Sequence, residues 1–395
     1  MFNHINGGPT LMPLNTIPNK GLTSRGYPSD RLVTPIIING DMSIAQRGTS
    51  STSSGYATVD RMNISRDATS LTQSQESLSS SDSPYSLGFR KYFRVTNTGT
   101  SSATDTYVAI TQRIEAQNIA TSGWNYTSSS SSITISFWVR SSLAGTYYCT
   151  PRTQDGTSYN YAFPIVLTAN TWTKITKSII GNSNLTINND HGNGLSLRIW
   201  PHLGSDFTTS SHTTNQWNVY SASDQAPDYS QNWRNTSSAT FDITGLQLEV
   251  GEFDSTSIPS FPFESFESNL RKCQRYYFCS DTVTSGTEFY PCFCPNSGDK
   301  GDSIKFTAPV SLRSPDNTTL TVSAGTSQLV GGGYSSTTTV PSFTRRNNTN
   351  DVEKTTKPSG DGTKIYFVSS AIFSGISEGF AGFGTTGTIE FDNEL

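Results

Sequence analysis

Residues 133–140 read ITISFWVR, and this stretch decides the fold class. Its odd-numbered positions hold Ile, Ile, Phe and Val, while its even-numbered positions are polar except for Trp138. Apolar residues at every second position predict a β-strand with one face in a core and the other in water. It is the clearest strand signal in the chain.

Similar short stretches, separated by turns rich in Ser, Asn and Gly, recur on both sides of it. Strands are predicted at residues 89–96, 107–114, 132–140, 145–150, 161–167, 171–179, 195–200, 215–220, 239–250 and 303–308. A further strand is predicted within 34–45, where three isoleucines run into a turn at Asn39-Gly40-Asp41, whereas 48–55 and 66–84 are predicted to be loops. Many short strands at regular spacing predict an all-β sandwich.

The composition fits a folded chain with polar surfaces. Of the 395 residues, 33% are hydrophobic, 15% charged and 11% aromatic, and the formal net charge is −4. Disordered chains are usually rich in charge and poor in aromatic residues. Since the chain has no Lys/Arg-rich stripe and no run of apolar residues long enough to span a bilayer, we expect no nucleic-acid partner and no membrane insertion. Residues 1–10 lack a secretory pattern, so synthesis in a cytoplasm is expected.

Four segments are predicted along the chain. Residues 1–36, interrupted by five prolines, form an extended arm, either a disordered tail or a segment that orders against a partner. Residues 37–264 form the main β-sandwich, and residues 265–276 a short linker helix with apolar side chains spaced at four and three. Residues 277–395 form a smaller C-terminal β domain.

Six motifs occur in a fixed order along the chain. They are INGDMSIAQRG at 38–48, ITQRIE at 110–115, ISFWVRSS at 135–142, NTWTK at 170–174, FDITGLQLEVG at 241–251, and FE at 263–264 followed by LRKCQRYY at 270–277. In this order they resemble a group of tailed-phage virion proteins, the fibre or appendage proteins common in marine phages and cyanophages. The resemblance implies a jelly roll like that of carbohydrate-binding modules.

The resemblance also implies a function. The chain is expected to be a virion component, made in the host cytoplasm, that works as a tail fibre or appendage and binds a host surface glycan. The arm would attach it to other virion proteins of the tail or capsid, and the chain would assemble as a homotrimer. One alternative is a capsid fibre, knob or decoration protein with a purely structural role. A second is a polysaccharide-degrading tailspike, for which a β-helical repeat would be expected and is not visible.

Aromatic side chains in loops are the candidates for glycan binding. A pyranose has an apolar face that Trp or Tyr can cover, while nearby amides and hydroxyls fix its orientation. The loop-rich span 200–238 holds the four candidates Trp200, Trp217, Tyr220 and Trp233. The other interpretation is that these rings belong to a core or a subunit contact, which aromatic residues also favour.

No catalytic or cofactor motif is present, and an enzyme is not expected. Acidic residues in the loops, such as Asp190 and Asp206, have no recognisable pattern around them. A structural calcium held by Asp41 with Asp242 or Glu249 is conceivable, but surface carboxylates are the favoured interpretation, so no metal or other cofactor is predicted. The five cysteines are expected to be reduced thiols.

Overall fold

A computed structural model describes residues 35–67 and 70–279, together with short strands between 288 and 392 and residues 310, 313, 394 and 395. All but the last two residues of the predicted arm lie outside the described residues. No helix in this described part of the chain is long and apolar enough to cross a membrane.

The described residues 35–67 and 70–279 contain fourteen strands before residue 251 and two helices. The strands are β1 (Ser50–Ser51), β2 (Met62–Arg66), β3 (Leu71–Ser77), β4 (Lys91–Asn97), β5 (Tyr107–Glu115), β6 (Ser132–Ser141), β7 (Gly145–Cys149), β8 (Arg152–Thr153), β9 (Tyr159–Tyr161), β10 (Phe163–Leu167), β11 (Thr173–Ile180), β12 (Asn193–Leu203), β13 (Trp217–Val219) and β14 (Thr240–Val250). The helices are α1 (Ala116–Ala120) and α2 (Phe266–Gln274), and short 3-10 turns span Ser83–Leu87 and Ser205–Phe207.

Two antiparallel sheets face each other. The six-stranded sheet has the order β1-β3-β4-β14-β6-β11, and the eight-stranded sheet has the order β10-β7-β12-β8-β9-β13, with β5 beside β12 and β2 beside β5. The chain crosses repeatedly from one sheet to the other, as in a jelly roll. Apolar side chains of both sheets, among them Phe137 of β6 and Leu197 of β12, form one core. The predicted all-β sandwich is confirmed.

The strand at 133–140 has the predicted interior face, but its other face is not in water. Thr134 and Ser136 are buried as well. The Thr134 hydroxyl donates to the Gly251 carbonyl at 2.7 Å and accepts from the Phe253 N–H at 3.1 Å, because the segment after β14 folds back over the sheet. The alternation therefore predicted the strand correctly and its solvent exposure incorrectly.

The predicted strand at Ile36–Ile38 is wrong, because this segment is an irregular loop organised by Asn39. The buried Asn39 side chain donates to the carbonyls of Ile44 and Asp60, both at 2.9 Å, and accepts from the Ile44 N–H at 2.9 Å. Gly40 passes so close to β14 that a Cβ there would lie 2.0 Å from the Leu246 carbonyl oxygen. Only glycine fits at that position.

The predicted loops at 48–55 and 66–84 are also partly wrong, since they contain β1 and β3. The sequence of β3 is polar, but Gln73 is fully buried and donates to the Ser53 carbonyl at 2.7 Å. Thr58 donates to the Gln73 side-chain oxygen at 3.0 Å. Hydrogen bonding rather than apolar burial fixes this strand, so hydrophobic periodicity could not reveal it.

The C-terminal part is also built of strands. They are β15 (Tyr277–Cys279), β16 (Glu288–Cys294), β17 (Ile304–Thr307), β18 (Thr319–Val322), β19 (Ser327–Gly331), β20 (Tyr334–Thr338), β21 (Phe343–Arg345), β22 (Lys364–Ser369), β23 (Gly379–Thr385) and β24 (Ile389–Asp392). They form three small antiparallel sheets, ordered β15-β24-β18, β16-β23-β19-β20 and β17-β22-β21. The helix predicted before them forms as α2, capped by the Ser265 hydroxyl. The division of the chain into four segments remains a prediction.

Candidate functional site

Two of the four candidate aromatic residues are buried, so their prediction as sugar platforms is corrected. Trp233 is 0% exposed in the main core and donates to the Thr240 carbonyl at 3.2 Å. Trp200 lies on the outer face of the eight-stranded sheet, but Tyr148, Ala226 and neighbouring residues cover it. Neither ring presents a face to solvent. The loop-rich sequence around them gave no sign that the loop folds onto the sheet.

The other two candidates are half-buried and lie in different places. Trp217 is at the start of β13, where its indole N–H donates to the Ile180 carbonyl at the end of β11 at 2.8 Å. Tyr220 follows β13, and the Arg152 guanidinium lies over its ring at 3.3 Å. The structure therefore does not gather the four predicted residues into one site.

A groove of about 780 Å³ opens between β10 and β11, the outermost strands of the two sheets. We call it the edge groove. Its lining comprises Phe163, Pro164, Lys174, Ile175, Thr176, Lys177, Ser178, Asn215, Glu252, Phe253, Asp254, Ser255 and Ser257. Trp217 is not part of this lining, but its indole bonds the carbonyl of Ile180, two residues beyond the Ser178 of the groove wall. The volume is within the range of small-molecule binding sites.

The charges of the edge groove come from both walls. Lys177 of β11 is opposite Ile135 and therefore points between the sheets, where burial lowers the pKa of its ammonium group. Inward charges on an edge strand also discourage pairing with other strands. On the facing loop, hydrogen bonds from Thr256 and Ser257 hold the pKa of Asp254 below its usual value, so this carboxylate stays ionised. Donors and acceptors on both walls suit a polyhydroxylated ligand.

A second polar surface lies on the outer face of the eight-stranded sheet. Ser196 of β12 is opposite Arg113 of β5 on one side and Arg152 of β8 on the other. The Arg198 side chain points to the same face of the sheet as Ser196, because it is two residues further along β12. Three arginines thus occupy neighbouring strands, next to Tyr220.

Two of the motifs meet at Glu115, which is fully buried. Arg275 donates to both of its carboxylate oxygens, at 2.8 and 2.9 Å, and the Tyr276 hydroxyl donates to one of them. Burial raises the pKa of Glu115, but these bonds outweigh it and leave the pKa lowered. The motif residues at 110–115 and 270–277 therefore join the end of α2 to the sandwich.

Arg47 belongs to a third motif, at 38–48, and lies next to the junction between the end of α2 and the sandwich. Its guanidinium stacks on the Tyr277 ring at 3.5 Å and bonds Asp392 at 3.1 Å and Glu394 at 3.2 Å. Arg61 stacks on the Tyr276 ring at 3.5 Å and also pairs with Glu394. These contacts are structural, because they hold Asp392 and Glu394 against the sandwich. Sequence reasoning had no signal for either partner.

The carboxylates considered for calcium are engaged elsewhere. Asp242 is bound by Arg94 and Arg140. Asp41 accepts from Ser43 and Asn269, and burial raises its pKa. Within residues 35–67, 70–279 and the described strands, no group of three or more His, Cys, Asp or Glu side chains could hold a metal ion.

His202 of β12 makes the stability of the sandwich depend on pH. Its Nε2 is 3.2 Å from the Thr106 hydroxyl, and burial, aided by Arg234, lowers the pKa of the imidazole to about 4. An unfolded chain protonates histidine near pH 6.5, so it binds more protons than the folded chain between pH 4 and 6.5. The contribution of the neutral His202 imidazole to the free energy of unfolding is therefore fully present above pH 6.5 and falls as the pH drops from 6.5 to 4.

We expect the stability of the protein relative to a His202→Gln variant to fall by about 2–3 kcal/mol between pH 7 and pH 4. Asp60, whose pKa burial raises to about 6, acts in the opposite direction but equally in both proteins, so it cancels in the difference. Urea unfolding at a series of pH values measures this. Parallel curves for the two proteins would exclude the buried neutral imidazole.

No protein-family model and no curated protein matches the sequence. Similar solved structures include a cyclase from Fischerella sp. TAU in complex with an indolyl butanone, at 8% identity over 56% of this chain and 100% of that chain, with a TM-score of 0.33. A family 16 carbohydrate-binding module is 10% identical over 41% of this chain and 77% of that chain, with a TM-score of 0.21.

The CBM22-1 and GH10 modules of xylanase 10B from Clostridium thermocellum, complexed with xylohexaose, are 9% identical over 57% of this chain and 30% of that chain, with a TM-score of 0.28. Scores this low carry no argument about the present chain. The class that the chain's own strands define is an antiparallel β-sandwich with an open edge groove.

Proposed function

We propose that the chain is an appendage protein of a tailed-phage virion and that it binds a host surface glycan through the edge groove. The observation that carries the glycan-binding proposal is the groove itself, which is of ligand size and lined by hydroxyl, amide, ammonium and carboxylate groups. The half-buried Trp217, bonded to the end of β11, would extend this site with an aromatic ring. The six ordered motifs support the virion assignment. The arm at 1–36 would attach to other virion proteins.

Binding rather than catalysis is proposed for this site. Glycosidases usually need a carboxylic acid whose raised pKa keeps it protonated. Both acidic residues of the groove, Glu252 and Asp254, are exposed. Hydrogen bonds from Thr256 and Ser257 lower the pKa of Asp254. The groove thus offers carboxylates that accept hydrogen bonds from sugar hydroxyls.

The structural alternative has an observation in its favour. Val166, Ile180 and Val219 are exposed by 68%, 49% and 60%, and all three lie on short strands at sheet margins. Such apolar side chains suit contacts between copies of the chain, as in a homotrimer of a fibre or capsid decoration. The test must therefore separate ligand binding from assembly.

The test is competition for adsorption. Purified full-length chain, added in excess, is expected to block attachment of the phage particles to host cells, and a Trp217→Ala variant to need on the order of tenfold more protein for the same block. Trp217→Phe keeps a ring and should lose less. Phe266→Ala, which removes an exposed ring from α2, serves as the control.

Size measurement on the same samples shows whether assembly has changed. Equal competition by folded, normally assembled Trp217→Ala protein would exclude the groove as the glycan site. No competition by the unaltered chain would remove the adhesin role and leave the structural alternative.

A further inference from the structure

Two of the three arginines on the outer face of the eight-stranded sheet, Arg152 and Arg198, lack the acidic partners that other buried or half-buried arginines of the described residues have. Arg113 donates to the Leu395 carbonyl oxygen. Arg152 and Arg198 form no ion pair with any described residue, whereas Arg47, Arg61, Arg94, Arg140, Arg234 and Arg275 all do. Their shared neighbour is Tyr220, whose ring lies under the Arg152 guanidinium at 3.3 Å and whose hydroxyl is close enough to Arg198 to influence its pKa.

Two polar atoms of the β8–β9 pair are buried and have no hydrogen-bond partner among the residues that the structure describes. One is Nε of Arg152, and the other is Oδ1 of Asn160, a side chain only 2% exposed. Arg152 and Asn160 are opposite each other in the β8–β9 pair, yet their side chains form no hydrogen bond with each other. The Asn160 amide nitrogen does have a partner, the Gln225 carbonyl at 3.0 Å. A buried orphan donor next to a buried orphan acceptor is costly, and such pairs are rare without a ligand or an ordered water.

The electrostatics of the cluster also lack compensation. Burial, together with the nearby charges of Arg152 and Arg113, lowers the pKa of the Arg198 guanidinium to about 10. A group held in its charged form against burial and like charges destabilises the fold. Sites that reduce stability in this way are commonly functional.

We propose that Arg152, Arg198 and Asn160 bind an acidic sugar unit, with its carboxylate on the two guanidinium groups. Arginine matches a planar carboxylate through paired N–H donors. The Asn160 oxygen would accept from a sugar hydroxyl, directly or through a water. Tyr220 positions both arginines. The proposal rests on the proposed function in taking the ligand to be a sugar, but it uses a different surface from the edge groove.

The experiment compares D-glucuronate with D-glucose, which differ at C6 in having a carboxylate or a hydroxymethyl group. In NMR titrations of the full-length protein, glucuronate is expected to bind and glucose to bind at least tenfold more weakly. Arg152→Gln and Arg198→Gln are each expected to weaken the binding of glucuronate about 10- to 100-fold. Arg271→Gln removes the same charge from an exposed position on α2 and should bind normally.

A stability measurement separates loss of the site from loss of the fold. Because Arg198 is partly buried beside like charges, the Arg198→Gln variant should melt at the same or a higher temperature. It should nevertheless lose glucuronate binding. Unaltered affinity in both cluster variants would overturn the proposal. So would inorganic sulfate binding as tightly as glucuronate, since it would show a site for any small anion.

The two binding proposals fail separately. Trp217→Ala should leave glucuronate binding intact, because the Trp217 indole bonds the end of β11 in the six-stranded sheet, whereas the arginines lie on the outer face of the other sheet. If the chain competes for adsorption but does not bind glucuronate, the cluster proposal fails alone. If it binds glucuronate through the two arginines but does not compete, the host-attachment function fails and the cluster stands.

Discussion

Glu394→Gln is expected to lower the free energy of unfolding by about 3–5 kcal/mol, the usual cost of removing one partner from a buried ion pair. Glu394 binds the guanidinium groups of both Arg47 and Arg61, and the Arg61 side chain is 1% exposed. Without the carboxylate, the buried Arg61 charge has lost its counterion. Burial lowers the pKa of Arg61, and Glu394 is the largest influence that raises it above its usual value.

Thermal and urea unfolding measure this effect. Glu267→Gln is the matched control, because Glu267 forms an exposed pair with Arg271 on α2, and pairs of that kind contribute little. The double variant Arg61→Met with Glu394→Gln should recover part of the loss, since the unpaired buried charge is gone. Equal stability of Glu394→Gln and the control would show that the ion pairs of Glu394 with Arg47 and Arg61 do not stabilise the fold.

Asp242→Asn is expected to cost about 3 kcal/mol. The Asp242 side chain is 1% exposed in β14 and joins β4 and β6, accepting from Arg94 at 2.8 and 2.9 Å and from Arg140 at 2.9 Å. Arg94 and Arg140 are its direct neighbours in the two strand pairs, so one carboxylate links three strands of the six-stranded sheet. The neutral amide can accept only through one oxygen. It leaves Arg94 without its counterion, whereas Arg140 keeps the Asp82 carboxylate at 3.0 Å.

Urea unfolding of Asp242→Asn beside the unaltered protein and Glu267→Gln tests this. Arg94 and Arg140 keep some contact with water, which limits the loss compared with Glu394. A loss below about 1 kcal/mol, the usual value of an exposed pair, would mean that the three-strand link is not a significant source of stability.

The sequence predicted the layer architecture better than the position of polar groups. The alternation at 133–140 identified β6 because Ile133, Ile135, Phe137 and Val139 do enter the core. It missed β3, where Gln73 is buried through hydrogen bonds. It predicted a strand at the three isoleucines 36–38, where hydrogen bonds of the Asn39 side chain hold the chain in a loop. Polar contacts between residues far apart in sequence decided each of these cases, and periodicity carries no information about them.

The candidate site was predicted by residue type alone, and the fold redistributed those residues. Trp233 entered the core and Trp200 was covered, while Trp217 and Tyr220 came to lie on two different surfaces. The edge groove depends on which strands end the two sheets, and no local pattern reveals that. Arg152 and Arg198 were not singled out, because isolated arginines in short strands have no motif. Only their shared face and their lack of ion pairs make them notable.

The most direct test of the glycan-binding claim is hydrogen–deuterium exchange of the full-length protein with and without fragments of the host surface polysaccharide. We predict slower exchange in peptides that cover 163–178 and 252–257, the two walls of the edge groove, and no such change in Trp217→Ala protein at the same fragment concentration. Unchanged exchange across both walls, under conditions where the fragments bind, would contradict the account.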